Sequence, residues 1–251
     1  MAAQIASVDV PTSDGVADAV FAVPDDGAAH PGVLLYMDAF GLRPQIESMC
    51  ARLADEGYAV LAPNVFYRGG RAPVVELGDL KDPAGRRGLF GRLRPHMSTL
   101  TAELAARDAT AYLDHLAGSD RVADGPVGVV GYCMGGALAL RTAAGFPDHV
   151  AAAASFHGGR LAVDAEDSPH RRFGSIAAEV YVAHADQDAS MPSEMQAEVA
   201  RALDEAGVRY TAECYEGAAH GFTMADTAAH DAAAEHRHWE ALLDLFGRTL
   251  R

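Results

Sequence analysis

Positive charge is scarce in this sequence of 251 residues, in which 20 Lys and Arg face 35 Asp and Glu and the formal net charge is -15 at pH 7. A chain of this charge repels phosphate backbones and anionic lipid surfaces. No apolar run approaches the ~20 residues of a membrane span, and residues 1–15 have neither the basic nor the apolar region of a secretory leader. We therefore expect a cytoplasmic protein that binds neither nucleic acid nor membranes.

Cysteine is also sparse, and the three cysteines, Cys50, Cys133 and Cys214, form no closely spaced pair. An odd number without pairing argues against a disulfide framework and favours reduced thiols. Cys50 and Cys214 lie within a predicted helix and a predicted strand, where we expect them in the core.

Two further kinds of binding site are not indicated. The glycine-rich loops that hold dinucleotide or nucleotide phosphates are absent, so we expect no cofactor. The last predicted helix carries His230, His236 and His238, but their offsets do not stack them on one helical face. We expect a solvated polar face there and no metal site.

Short apolar runs alternate with amphipathic segments, the pattern of a mainly parallel sheet covered by helices on both faces. Strands are predicted at residues 4–10, 17–24, 32–37, 58–63, 127–131, 149–156, 178–186 and 209–215, the first two as an antiparallel pair. Helices are predicted from Pro44 to Gly57, over residues 101–118, from Pro192 to Gly207 and through Trp239 to Phe246. We expect one α/β domain over residues 1–251, as a monomer or a small homo-oligomer.

An irregular section from residue 67 to residue 97 differs in charge from the rest. Its basic residues are Arg68, Arg71, Lys81, Arg86, Arg87, Arg92 and Arg94, against the acidic Glu76, Asp79 and Asp82. Long connections are often lids or binding loops. A solvated surface excursion is the alternative.

The most informative motif is Gly-Tyr-Cys-Met-Gly-Gly at residues 131–136. It follows a buried apolar run and fits a strand that turns sharply into a helix and exposes the central side chain, here Cys133. Gly131 and Gly135 stand two residues to either side, where a Cβ would collide with the tight turn. The helix N-terminus favours a reactive thiolate, although buried cysteines are commonly only packed.

Two later loops supply further candidates in the chain order that this fold uses, nucleophile, acid, histidine. Asp186 and Asp188 follow one predicted strand, and His220 follows the last one. An imidazole can move protons while a carboxylate fixes its tautomer. The ordinary alternatives are an N-cap carboxylate and a solvated histidine.

The stretches "GYCMGG", "DQDASMP" and "YEGAAHGF" resemble the dienelactone hydrolase family, α/β-hydrolases with a Cys-Asp-His triad, and the likeness extends over most of the chain from Gly32. The resemblance implies Cys133 as nucleophile, Asp188 as the acid instead of Asp186, and His220 as base. It implies hydrolysis of a lactone or a small activated ester through a cysteinyl thioester.

Two more stretches are similar to the family. "YMDAFGL" implies that Asp38 restrains the resting thiol and that the N–H groups of Ala39 and Met134 form the oxyanion hole. "LAPNVFYR" implies that Arg68 binds a substrate carboxylate.

The sequence also departs from the dienelactone enzymes. Asp38 replaces a glutamate, Met224 replaces a second arginine, and Phe156 and His157 replace tyrosines. His157 is expected either at the mouth of the site or as a hydrogen-bonded structural residue. A less cationic pocket leaves open a carboxylesterase or thioesterase for neutral substrates. The cysteine itself, which can be oxidised where a serine cannot, leaves open a redox-sensing or binding protein with a reactive Cys133.

Overall fold

The computed structural model describes residues 3–251 and has an α/β fold with eight mostly parallel strands. The strands are β1 (Ala3–Thr12), β2 (Gly15–Pro24), β3 (Gly32–Tyr36), β4 (Ala59–Pro63), β5 (Val127–Tyr132), β6 (Val150–Phe156), β7 (Glu179–Gln187) and β8 (Tyr210–Ala219). The α-helices are α1 (Pro44–Asp55), α2 (Pro83–Thr99), α3 (Ala102–Ala117), α4 (Met134–Gly145), α5 (Ser193–Ala206) and α6 (Ala232–Thr249). Short 3₁₀ helices lie at Tyr67–Gly69 and Pro169–Ser175. The predicted α/β class is confirmed.

The chain divides into two compact units, one ending at Val127 and the other running from Gly128 to Arg251. In the first unit the strand order is β1-β2-β4-β3. β1 is antiparallel to β2 and β2 to β4, whereas β3 and β4 are parallel. Every residue of β3 and β4 is buried, as expected for strands covered on both faces. The predicted antiparallel opening pair is therefore confirmed.

In the second unit the strand order is β5-β6-β7-β8, with β6, β7 and β8 parallel. Helices α4 and α6 pack against β6. The carboxyl ends of parallel strands share one edge of the sheet, where open α/β folds place their ligands. The loops that follow β6, β7 and β8 therefore begin at this edge.

Residues 67–97, expected to be irregular, contain the first 15 residues of α2. That expectation was wrong because three glycines and Pro95 inside the helix interrupt the helical spacing of apolar residues by which a helix is recognised in a sequence. The helix is capped by the Asp82 carboxylate, which accepts from the N–H groups of Ala84 at 3.1 Å and Gly85 at 2.8 Å. Leu89 and Leu93 on α2 are buried together with Leu80. A lid role for the segment stays a prediction.

Two side chains lie elsewhere than expected. His238 on α6 is fully buried, so the prediction of a solvated face was wrong for this residue. Its ring stacks edge-on against Phe156 with ring centres 4.3 Å apart, and its Nε2 lies 2.9 Å from the Tyr132 hydroxyl. Cys214 is exposed instead of buried, because β8 is the outermost strand of its unit. Cys50 is buried as predicted.

Across residues 3–251 every helix is too short or too polar to cross a membrane.

Candidate active site

Cys133 occupies a sharp turn between β5 and α4. Its backbone angles are φ 54° and ψ -119°, a region that residues with a side chain rarely adopt. Gly131 permits the turn, because a Cβ at that position would lie 1.9 Å from the carbonyl oxygen of Gly135. The strained conformation predicted from the motif is therefore present, and the Cys133 side chain is partly exposed.

Hydrogen bonds on both sides hold the Cys133 backbone in this conformation. Its N–H donates to the carbonyl of Phe156 at 3.1 Å and to Nδ1 of His157 at 3.2 Å. Its carbonyl accepts from the N–H of Gly136 at 3.1 Å in the first turn of α4. Met134 is the first residue of that helix, so its N–H has no acceptor within the helix.

His220 follows β8 and connects the cysteine to a carboxylate. Its Nδ1 lies 2.6 Å from Oδ2 of Asp188, and its ring also hydrogen-bonds the Cys133 side chain. Burial opposes a charge on the ring, but the hydrogen bonds to Asp188 and Cys133 outweigh burial and raise the pKa of His220 to about 10. The His220 imidazole is therefore protonated on both nitrogens and positively charged at neutral pH.

Asp188 is buried in the loop after β7, and both of its oxygens are used. Oδ2 faces His220, while Oδ1 accepts from the N–H of Ser190 at 2.8 Å and from its hydroxyl at 2.7 Å. Burial favours the neutral acid, but His220 and Ser190 prevail and lower the pKa of Asp188 below its ordinary value. Asp186, the other candidate acid, is exposed and accepts from the N–H of Gly217 at 3.1 Å. The structure thus brings Asp188 to the histidine.

In the first unit, Asp38 forms a buried ion pair with Arg43. The two guanidinium nitrogens lie 2.7 Å and 3.0 Å from the two carboxylate oxygens, and Oδ1 also accepts from the N–H of Phe40 at 2.9 Å. Ala39 is buried beside it. Arg43 was missed by sequence reasoning, which considered Asp38 only in relation to the thiol.

Arg68 is likewise held by carboxylates of its own unit. Its guanidinium binds both oxygens of the buried Asp108, at 2.7 Å and 2.8 Å, and reaches Oδ2 of Asp14 at 2.7 Å and 3.0 Å. It also lies over the Tyr67 ring, 4.5 Å from the ring centre. The hydrogen bond to Asp108, with support from Asp14, raises the pKa of Arg68. An aspartate on the buried face of α3 was the available signal for this partner.

A strained cysteine between strand and helix, an aspartate after a later strand and a histidine after the last strand stand in the order that α/β-hydrolases use for nucleophile, acid and histidine. Residues 17–250 match the dienelactone hydrolase family, so the chain belongs to that family. It is a hydrolase of the dienelactone hydrolase type.

Individual relatives agree with this assignment. The chain is 28% identical over 228 residues to a carboxymethylenebutenolidase from Rhodococcus opacus, which covers 90% of this chain and 84% of the relative. It is 29% identical to the structure of a dienelactone hydrolase-like promiscuous phosphotriesterase from metagenomic libraries, with a TM-score of 0.77 and full coverage of both chains. A dienelactone hydrolase from Anabaena variabilis has the same fold at 18% identity, with a TM-score of 0.65 and full coverage of both chains.

Proposed function

We propose that the protein hydrolyses a lactone or another small activated ester through a thioester on Cys133. The observation that carries this proposal is the hydrogen-bonded series from Cys133 through His220 to Asp188, placed at a strained turn. In this series the histidine that would serve as proton carrier is already protonated and oriented by a carboxylate.

In the first half of the proposed reaction, His220 holds the proton of the Cys133 thiol, and the sulfur attacks the carbonyl carbon as a thiolate. The N–H of Met134 at the start of α4 stabilises the oxyanion that develops, and Ala39 stays the second donor that the family resemblance implies. When the intermediate collapses, the bond to the ester oxygen breaks and that oxygen takes the proton from His220. The acyl group then remains on sulfur as a thioester.

In the second half, His220 is neutral and accepts a proton from water, whose oxygen attacks the thioester carbonyl. The carbon–sulfur bond breaks, the carboxylic acid product leaves, and the Cys133–His220 pair is restored. Asp188 keeps Nδ1 of His220 oriented throughout, so that Nε2 handles both proton transfers.

A neutral carboxylester or thioester is the second candidate substrate, and the contacts of Arg68 favour it. A guanidinium bound by Asp108 and Asp14 has little remaining capacity for a substrate carboxylate. The anionic-substrate role of Arg68 requires that a substrate carboxylate displace Asp14 from the guanidinium. In the same way, restraint of the resting thiol by Asp38 has to use the acceptor capacity that the ion pair with Arg43 leaves on the carboxylate.

A hydrolysis panel tests the proposal. Lactones with and without a carboxylate, short p-nitrophenyl esters, an acyl thioester and an organophosphate triester are assayed with the wild type, Cys133→Ala, Cys133→Ser and Arg68→Ala. We expect turnover of a lactone or ester, loss of it in Cys133→Ala, and slower turnover in Cys133→Ser. A Cys133→Ser variant that matches the wild type would contradict the thiol mechanism.

The same panel separates the alternatives. Preference for neutral esters, unchanged in Arg68→Ala, selects the carboxylesterase or thioesterase. Covalent labelling of Cys133 without turnover of any substrate selects the redox-sensing or binding protein.

We further propose the cytoplasm as the compartment, because the three cysteines are free.

A further inference from the structure

His157, a buried histidine outside the triad, contacts the nucleophile through its backbone. It directly follows β6, is fully buried and has a φ of 41°, so it is a second strained residue beside Cys133. One hydrogen bond joins these two strained residues, from the Cys133 N–H to His157 Nδ1 at 3.2 Å. The Cys133 N–H therefore has two acceptors, the backbone carbonyl of Phe156 and the ring of His157, and only the second is supplied by a side chain.

The hydrogen bonds of His157 define its tautomer. Because Nδ1 accepts from Cys133, the ring proton lies on Nε2, which donates to the hydroxyl of Thr223 at 2.8 Å. Burial, with help from the charges of His220 and His238, lowers the pKa of His157 well below its ordinary value. The ring is therefore neutral and keeps a lone pair on Nδ1.

The ring of His157 also contacts the proposed base. Its centre lies 5.3 Å from that of His220 in an edge-to-face arrangement, and 5.0 Å from that of Phe222. The His157 backbone is held separately, since its N–H donates to the carbonyl of Ala183 at 2.8 Å. One rigid side chain thus touches both the backbone of the nucleophile and the ring that moves its proton.

We propose that His157 is a positioning residue of the hydrolase, whose neutral ring, oriented by Thr223, holds the Cys133 backbone and the His220 ring in the reactive geometry. This inference rests on the proposed function. Small displacements of reacting groups cost about 10²-fold in rate, so we expect loss of the Nδ1 acceptor to lower kcat by about 10- to 100-fold with little change in KM.

The experiment compares His157→Leu, which removes the acceptor, with His157→Asn, whose side-chain oxygen can accept near the position of Nδ1. Thr223→Val and Thr223→Ser form a second pair that removes or keeps the hydroxyl. Thr249→Val is the matched control, because its part-buried hydroxyl donates to the carbonyl of Leu245 at the end of α6. Each variant is measured for kcat, KM and thermal unfolding, and for the rate of Cys133 alkylation by iodoacetamide from pH 5 to 10.

We expect His157→Leu and Thr223→Val to lower kcat and to alter the alkylation profile. We expect His157→Asn and Thr223→Ser to recover most of the wild-type values, and Thr249→Val to match the wild type. Unchanged kcat and alkylation in His157→Leu would overturn the inference. The inference would also be overturned if His157→Leu and His157→Asn lost kcat to the same extent, and if that loss matched the decrease in their unfolding temperatures. If His157→Leu does not fold, the Thr223 pair decides by the same criteria.

Alkylation also separates this inference from the function on which it rests. If no ester is turned over but the alkylation profile changes in His157→Leu and recovers in His157→Asn, the positioning role stands and the hydrolase proposal fails. If esters are turned over equally by all variants, the positioning role fails alone.

Discussion

The two compact units hold their charged groups in different ways. In the unit from Gly128, His220 joins Asp188 on one side to Cys133 on the other, and the sulfur is partly exposed. In the unit that ends at Val127, Arg68 and Asp38 each form a two-point ion pair, Arg68 with Asp108 and Asp38 with Arg43. The first arrangement leaves a partly exposed cysteine beside a charged histidine, whereas in the second arrangement the charged side chains pair with one another. A charged residue in a family motif is therefore a binding group only if its own fold leaves it hydrogen-bonding capacity.

The largest expected effect comes from breaking the carboxylate side of the triad. Asp188→Asn removes the charge that orients and stabilises protonated His220, so we expect kcat/KM to fall by about 10³- to 10⁴-fold. Asp186→Asn is the matched control, because Asp186 is exposed and accepts from the backbone N–H of Gly217. Steady-state kinetics on one ester measures both. Equal losses in the two variants would contradict the assignment of the acid.

A smaller effect is expected from removing Arg68, and it should appear in stability. Arg68→Ala leaves Asp108 buried without its cation, which costs about 3 kcal/mol or more in a fully buried pair. Because the Arg68 side chain is 21% exposed, we expect about 2 kcal/mol. Arg71→Ala breaks an ion pair with Asp9 that is mostly exposed, and should cost under about 1 kcal/mol.

Urea denaturation of the two arginine variants gives both free energies of unfolding. If Arg68→Ala is as stable as Arg71→Ala but loses activity on carboxylated substrates alone, the guanidinium serves the substrate and the contrast between the two units is wrong.

The pKa of the His220 ring should depend on Cys133. NMR of the His220 ring should give a pKa of about 10 in the wild type. In Cys133→Ala the pKa should be lower, because one of the two partners that favour the charged ring is removed while burial remains. The ring is then protonated over a narrower range of pH. The same pKa in wild type and Cys133→Ala would show that the thiol contributes nothing to the charge on His220.

The grouping of Cys133, Asp188 and His220 could be predicted from the sequence because each residue directly follows a strand, and parallel strands end at one edge of the sheet. Gly131 marked the turn in the same way, since only a residue without a Cβ fits there. The fold class followed from the alternation of apolar runs and amphipathic segments. These signals are local or depend only on chain order.

The remaining features depend on which side chains meet in space. Arg68 and Asp108 are 40 residues apart, and no local pattern pairs them. The hydrogen bond from Cys133 to His157 arises only where the loop after β6 passes the turn after β5. Helix α2 was missed because glycines and a proline dilute its period, although Asp82 before Pro83 is a helix-start signal.

Detection of an acyl-enzyme tests whether Cys133 is the nucleophile of the reaction. Wild-type protein is mixed with p-nitrophenyl acetate, quenched in acid within the first turnovers and digested, and the peptide that contains Cys133 is examined by mass spectrometry. We predict that this peptide gains the mass of one acetyl group, that the adduct disappears as the ester is consumed, and that it persists in His220→Ala. Turnover of the ester with no acyl group on Cys133 at any time would contradict the account.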